Sequence, residues 1–171
     1  MPVTEAELDA ALAKSLIGDR DFARWFLGQT RFSGEAATCV FCRSDNPWGR
    51  VHFQWSDPVD GELIDLSRDC ETDVLAVFET TDQRRLAVHI ENKLAGGSFT
   101  PYQPELYQAR LRQWKYRPKL GSYEDATSVL VAPLEFFNRW KAKAELFEGF
   151  ISHEDLARHL PEFGASFGNS R

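Results

Sequence analysis

Glu71-Thr72-Asp73-Val74-Leu75-Ala76-Val77-Phe78, followed after a polar turn by Leu86-Ala87-Val88-His89-Ile90-Glu91-Asn92-Lys93, is the stretch on which the reading of this chain turns. Both halves are apolar at odd and even positions, the mark of strands covered on both faces. The polar run Thr80–Arg85 reads as the turn of a hairpin. Successive strand residues alternate faces, so Glu91 and Lys93 point the same way. Residues directly opposite in an antiparallel pair also share a face. A pairing centred on Asp82 sets Asp73 opposite Glu91 and requires an odd-numbered loop or a bulge. Two acids and a lysine then lie on one face, at the open end of an otherwise apolar hairpin.

Outward from the hairpin, Gly96-Gly97-Ser98 and Pro101 form a loop, and a helix is expected over residues 102–117, stopped by Pro118. Gln103, Tyr107, Arg110 and Trp114 recur along one face of it. Ser128–Ala132 reads as a further buried strand and Leu134–Phe147 as a helix burying Phe136, Phe137, Trp140 and Phe147. Phe150-Ile151 suggests a brief strand, and Ser152 caps a last helix to about Leu160. On the N-terminal side, Thr4-Glu5-Ala6-Glu7 is a capping box opening an amphipathic helix over 5–17. A second helix runs from Asp19 or Asp21 to Gly28, residues 29–50 are mixed, and strands are expected near 51–55 and 62–67. The order is that of an α/β fold with mixed strand directions.

The 171 residues read as one domain over 1–163 with a flexible Gly/Ser/Asn-rich tail at 164–171. No apolar run approaches the roughly 18–20 residues of a membrane span, and no signal-peptide pattern opens the chain, so a cytoplasmic location is expected. The net charge is −6, which speaks against general coating of nucleic acid. Arg110, Arg112, Lys115, Arg117 and Lys119 nevertheless sit in one acid-free segment, which suits a local phosphate contact. Cys39-Val40-Phe41-Cys42 has zinc-knuckle spacing, with His52 and Cys70 as further ligands. The second close pair of a structural zinc site is missing, so buried thiols are expected instead. His89 shares the face of Glu91 but is expected to be a buried structural histidine.

An acid-x-lysine triplet alone means little, and a salt-bridged strand end is common. Two carboxylates facing each other repel unless a cation lies between them, which favours Mg²⁺. Such an ion lowers the pKa of bound water and stabilises negative oxygens, with Lys93 orienting or helping to deprotonate the water.

Asp73, then Glu91-x-Lys93 on the next strand, then Gln103-x-x-x-Tyr107 on a helix, resembles the PD-(D/E)xK nuclease superfamily, in the branch with a Gln-x-x-x-Tyr helix motif. The matching segment spans residues 71–117. The resemblance implies a restriction-endonuclease-like αβββαβ core, a mixed central sheet flanked by helices. It implies Mg²⁺- or Mn²⁺-dependent hydrolysis of phosphodiester bonds, with DNA the expected partner. Asp73 and Glu91 would hold the metal, Lys93 would be the catalytic lysine, and Gln103 and Tyr107 would orient the site or contact the substrate; Arg110, on the same helix face, is read from its charge as a donor to substrate phosphate. Thr72 stands where the family carries proline. Some members add a glutamate from the first helix, for which Glu7 is the candidate; Glu71 is another. The alternative is a non-cleaving module on the same fold that binds nucleic acid or a protein. A homodimer is left open.

Overall fold

The computed structural model describes residues 2–167. Helix α1 (Glu5–Gly18) opens on the expected capping box: Glu7 N–H donates to Thr4 Oγ1 and Thr4 N–H to Glu7 Oε2. Asp19 ends α1 and caps α2 (Arg20–Gly28), accepting from the Asp21 and Phe22 amides. The strands are β1 (Ala37–Arg43), β2 (Trp48–Ser56), β3 (Leu63–Glu71), β4 (Val74–Thr80) and β5 (Arg85–Asn92). After α3 (Gln103–Gln113) come β6 (Asp125–Ala132), the short helices α4 (Leu134–Arg139) and α5 (Lys141–Ala144), β7 (Gly149–Ser152) and α6 (His153–Leu156). A 3-10 turn over Pro161–Ser166 closes the described chain.

Five strands form one mixed sheet in the order β1-β4-β5-β6-β7. The pairs β1–β4 and β4–β5 are antiparallel, and β5–β6 and β6–β7 are parallel. The fold is therefore α/β, with helices on both faces of a mixed sheet. The hairpin pairs Val74 with Ile90 and Leu75 with His89, the register centred on Asp82; the ladder ends at Val74, and Asp73 lies in the bend just before it, next to the Glu91–Asn92 end of β5. A three-residue loop closes it: Thr80 N–H donates to Arg84 O, Gln83 N–H to Thr80 O, and Gln83 takes a left-handed φ of 66°.

The alternation of β4 and β5 feeds two separate cores. Val74, Ala76, Phe78, Leu86, Val88 and Ile90 pack against α1, α2 and the C-terminal turn. Leu75, Val77 and Ala87 face α3 with Leu106, Trp114 and Tyr123. His89 and Glu91, at the Ala87 parity, face α3, whereas Asn92 faces α1.

Strands β2 and β3 form a separate two-stranded ribbon between β1 and β4 in the chain. Its inner face places Val51, Phe53 and Cys70 against α3. Gln113 bridges the outer edge of β2, accepting from His52 N–H (2.9 Å) and donating to His52 O (2.5 Å). Close approach depends on Gly49, where a Cβ would stand 2.8 Å from Arg117 Nη1 and 2.9 Å from Trp114 Nε1. Gly49→Val is expected to lever the ribbon off α3 and cost about 1–3 kcal/mol, as overpacked cores do. Urea unfolding would measure it; an unchanged midpoint would mean that the ribbon is not held by this contact.

Several boundaries differ from expectation for local reasons. Residues 29–50 hide β1, whose alternation is broken by a bulge between Cys39 and Phe41. Helix α3 stops at Gln113 because Tyr116 is left-handed (φ 59°) and Arg117 is driven to extended backbone by Pro118. The helix expected over 134–147 breaks at Trp140, which leaves helical geometry as its ring packs against Phe99 and Phe136. The last helix is a single turn rather than one reaching Leu160. Gly164–Ser166 are not a loose tail: Phe163 is fully buried and Ser166 Oγ lies 2.6 Å from His153 Nδ1. Residues 168–171 of the expected tail lie outside the described residues.

Candidate active site

Glu91 is 1% exposed, and both its oxygens are occupied. Lys93 Nζ stands 2.5 Å from Oε1, Gln103 Nε2 donates to the same oxygen (2.5 Å), and Tyr107 donates its hydroxyl to Oε2 (2.5 Å). Three sequence-predicted residues thus converge on a fourth. The placement has local causes. Lys93 follows β5 and is held there by its N–H bond to Val131 O (2.9 Å). Gln103 begins α3, and its Oε1 accepts from Thr100 N–H (3.1 Å), which fixes the amide so that Nε2 faces Glu91. Tyr107 lies one turn further along the same helix face.

Asp73 sits in the bend between β3 and β4 and accepts the Asn92 N–H at Oδ2 (2.8 Å). Burial first, then the Glu91 charge, pushes its carboxyl up to about 8. Burial pulls Lys93 down, but Glu91, Asp73 and Glu5 together outweigh it and hold the ammonium above its ordinary value. Lys93 is therefore a cation at neutral pH.

The first helix supplies acids, though not Glu7, whose carboxylate is committed to the cap at Thr4. Asp9 is 4% exposed and accepts from Asn92 Nδ2 (2.8 Å); burial raises its carboxyl to about 7, with Glu5 and Glu91 adding to the rise. Glu5 Oε1 accepts from Leu94 N–H (3.1 Å). The Glu5/Asp9 pair, four residues apart beside the Leu8-Leu12-Leu16 stripe, was the available signal in the sequence. Glu7→Ala is expected to lower the thermal midpoint through the lost capping-box bonds and to leave the chemistry of the cluster alone. Lost function at full stability would instead return Glu7 to the site.

Asn92 joins two elements. Besides donating to Asp9, it lies with Oδ1 2.9 Å from His153 Nε2. Sequence reading missed Asn92 because it stands between two charged residues whose side chains leave by the opposite face.

Other predicted residues are relocated. Tyr107 is fully buried and Arg110 is 3% exposed, so they brace the site from within rather than contacting substrate freely. The Arg110 guanidinium stacks over Tyr107 (4.0 Å) and donates to Thr72 Oγ1 (3.2 Å). Thr72 also lies 3.4 Å from His89 Nδ1, and His89 Nε2 lies 3.0 Å from the Tyr123 hydroxyl. Thr72 thus carries a buried polar contact that proline could not make. His89 is structural; burial and Arg110 drive its imidazole down to about 3. Glu71 is exposed on β3, opposite Trp48, and the chain bend at Asp73 removes the regular alternation that would align the two acids. Cys39 and Cys42 lie on β1, Cys70 faces α3, and His52 is on the open face of the ribbon beside Asp65 (3.3 Å), so the four do not converge.

Two hollows flank the cluster. A cleft of about 530 Å³ between the ribbon and α3 is lined by Trp48, Arg68, Glu71, Gln103, Leu106 and Arg110. A smaller hollow of about 410 Å³ opens onto Asp73 with Glu5, Asp9 and Asp45. Among the described residues, no three His, Cys, Asp or Glu side chains stand as a metal-ligating group. The reason is visible at Glu91, where Lys93 occupies Oε1; a cation shared with Asp73 has to displace it. The donor set fits such a cation: Glu5, Asp9, Asp73 and Glu91 face one ammonium, and burial first, then the neighbouring acids, raises the Asp73 and Asp9 carboxyls. No protein family, curated protein or solved structure matches the chain.

Proposed function

We propose that this protein is a divalent-metal-dependent nuclease of the PD-(D/E)xK type that hydrolyses phosphodiester bonds, with DNA as substrate. The observation that carries the reading is the convergence of Lys93, Gln103 and Tyr107 on Glu91, with Asp73 in the bend next to that end of β5. The order α1, β1, β4, β5, α3, β6, with the ribbon inserted, accords with an αβββαβ core.

Asp73 and Glu91 would hold Mg²⁺ or Mn²⁺, and Asp9 and Glu5 add negative charge on the helix side. When bound, the ion supplies an acidified water and charge for the developing phosphorane oxygens. Lys93, beside Glu91, would orient or help to deprotonate the attacking water and stabilise negative charge. Gln103 and Tyr107 fix the Glu91 carboxylate so that its orientation is set before substrate arrives. Arg110 and Thr72 brace the helix and the chain leading into Asp73.

The test is cleavage of plasmid, linear and single-stranded DNA and of RNA with Mg²⁺ or Mn²⁺, comparing wild type with Asp73→Asn. Cutting by wild type alone is the expected result; equal cutting by both would remove Asp73 from the chemistry. A second reading, a non-cleaving binding module, is favoured by one observation, the complete satisfaction of Glu91 without a metal. Affinity for nucleic acid with no cleavage under any metal would establish that reading instead.

A further inference from the structure

Trp48 is 68% exposed, a large aromatic side chain open to solvent at the rim of a cleft. It begins β2, pairs with Glu71 and lines the cleft between the ribbon and α3. Its position relative to the acids is fixed by backbone bonds: Thr72 N–H donates to Pro47 O (3.0 Å), so the chain entering Asp73 is clamped to the residue preceding Trp48. Glu71, the cross-strand partner of Trp48, precedes Asp73 by two residues, so one short stretch of backbone joins the indole to the acids. The cleft is closed at its loop side by Arg68, whose Nη2 donates to Pro101 O (2.6 Å).

The charges in the cleft are divided. Gln103, which also touches Glu91, supplies donors on the α3 side and Arg68 on the loop side, while the buried Arg110 guanidinium is engaged with Thr72 and Tyr107. Glu71, the cross-strand partner of Trp48, supplies an acceptor next to the indole, whereas the Asp69 carboxylate lies 3.5 Å from Arg50 Nη1. Acceptors repel a phosphate but receive the exocyclic amino groups of a nucleobase, as carboxylates do from cytosine N4. A volume of about 530 Å³ matches a small-ligand pocket and is far below what a duplex occupies.

We infer that Trp48 is a nucleobase-stacking platform, and that the cleft receives one unpaired nucleotide beside the scissile phosphate, so the substrate presents a single strand there. The inference rests on the nuclease reading for what happens at the phosphate, but the stacking site stands on its own geometry. The base lies on the indole with its polar edge toward Glu71, and its backbone runs toward Gln103 and the Asp73–Glu91 end of the sheet. Stacking of this kind accepts any base, because each presents a π-face.

The experiment measures binding in EDTA, by fluorescence anisotropy, of a short fluorescein-labelled single strand of mixed sequence and of the same sequence as a blunt duplex. The full chain is compared as wild type, Trp48→Ala, Trp48→Phe and Leu63→Ala, an exposed apolar residue at the far end of the ribbon. The single strand is expected to bind more tightly than the duplex. Trp48→Ala should weaken it about 5- to 150-fold, the range set by loss of one base–aromatic stack. Trp48→Phe should recover most of this and Leu63→Ala should change nothing. Equal affinity of wild type and Trp48→Ala overturns the inference, as does a wild-type preference for the duplex. Self-association abolished by Trp48→Ala in sedimentation would also overturn it, because the indole would then serve a second copy. Because no metal is present, failure of the nuclease reading is separable: binding through Trp48 with no cleavage in Mg²⁺ or Mn²⁺ leaves the platform standing, and Asp73-dependent cleavage indifferent to Trp48 removes the platform alone.

Discussion

Asp73→Asn is expected to lower Mg²⁺-dependent cleavage about 10³-fold or more and, in the same protein, to raise its stability at pH 8. The first effect follows from removing one of two facing carboxylates that would hold the ion, a loss at least as large as that of a single transition-state donor. The second follows from the state of the carboxyl without metal. Burial and Glu91 hold Asp73 at about 8, far above the ordinary 3.8, so ionising it works against the fold. Asparagine keeps an oxygen for the Asn92 N–H and removes the charge. Activity and stability thus move in opposite directions, the pattern of a group retained for function. A salt-bridged strand end predicts the reverse, with both quantities unchanged or falling together. Lys93→Ala is the poorer instrument, because it leaves the Glu91 carboxylate buried without its cation and costs stability as well.

The second large effect is the pH dependence of the metal-free protein. Asp73 and Asp9 have folded values raised to about 8 and about 7, so they give no stability difference below their ordinary 3.8 and destabilise progressively as pH rises above it. His89 and His153 are held down to about 3 by burial, from an ordinary 6.5, so their stability contribution is lost as pH falls between those values. Each group contributes a slope of about 1.4 kcal/mol per pH unit within its window. Between pH 3.8 and 6.5 the two acids and two histidines oppose one another, and the curve is expected to be nearly flat. Above that window only the acids titrate, and stability should fall by about 3 kcal/mol by pH 8. Below it only the histidines remain, and stability should fall again. Divalent cation should restore the alkaline loss, since an ion that binds the folded carboxylates selects the folded state. Urea titrations across the range, with EDTA or Mg²⁺, measure this. A metal-free stability that holds level from pH 6.5 to 8 would mean that Lys93 already neutralises the cluster.

The central hairpin was legible because its evidence is local: two apolar runs, a polar turn and charges confined to one end. Register followed from the same pattern, since only one centring brings Asp73 to Glu91. The convergence of Gln103 and Tyr107 was legible only through resemblance, because helix periodicity says which residues share a face and not what that face meets. Arg110 shows the limit. Its charge suggested a phosphate, whereas the fold uses its flat guanidinium between Tyr107, Trp114 and Thr72. Asp9 was hidden for another reason: an acid in an amphipathic helix reads as solvated unless the strand end it reaches is known. Strand β1 was lost to a bulge, and the ribbon as a separate sheet was lost because pattern alone does not say which strands pair.

Ser166, His153, Asn92 and Asp9 form an unbroken relay from the last described turn to the first helix, each pair within 2.9 Å. The first helix and the last described turn therefore meet at the same amide, which sits between Glu91 and Lys93 in sequence. A shortened version ending at 163, where composition alone would cut, removes the hydroxyl that orients His153 and loosens its grip on Asn92. Any truncation therefore has to keep Ser166, and the amide of Asn92 is the clasp by which the first helix and the last described turn hold the carboxylate end of the sheet in register.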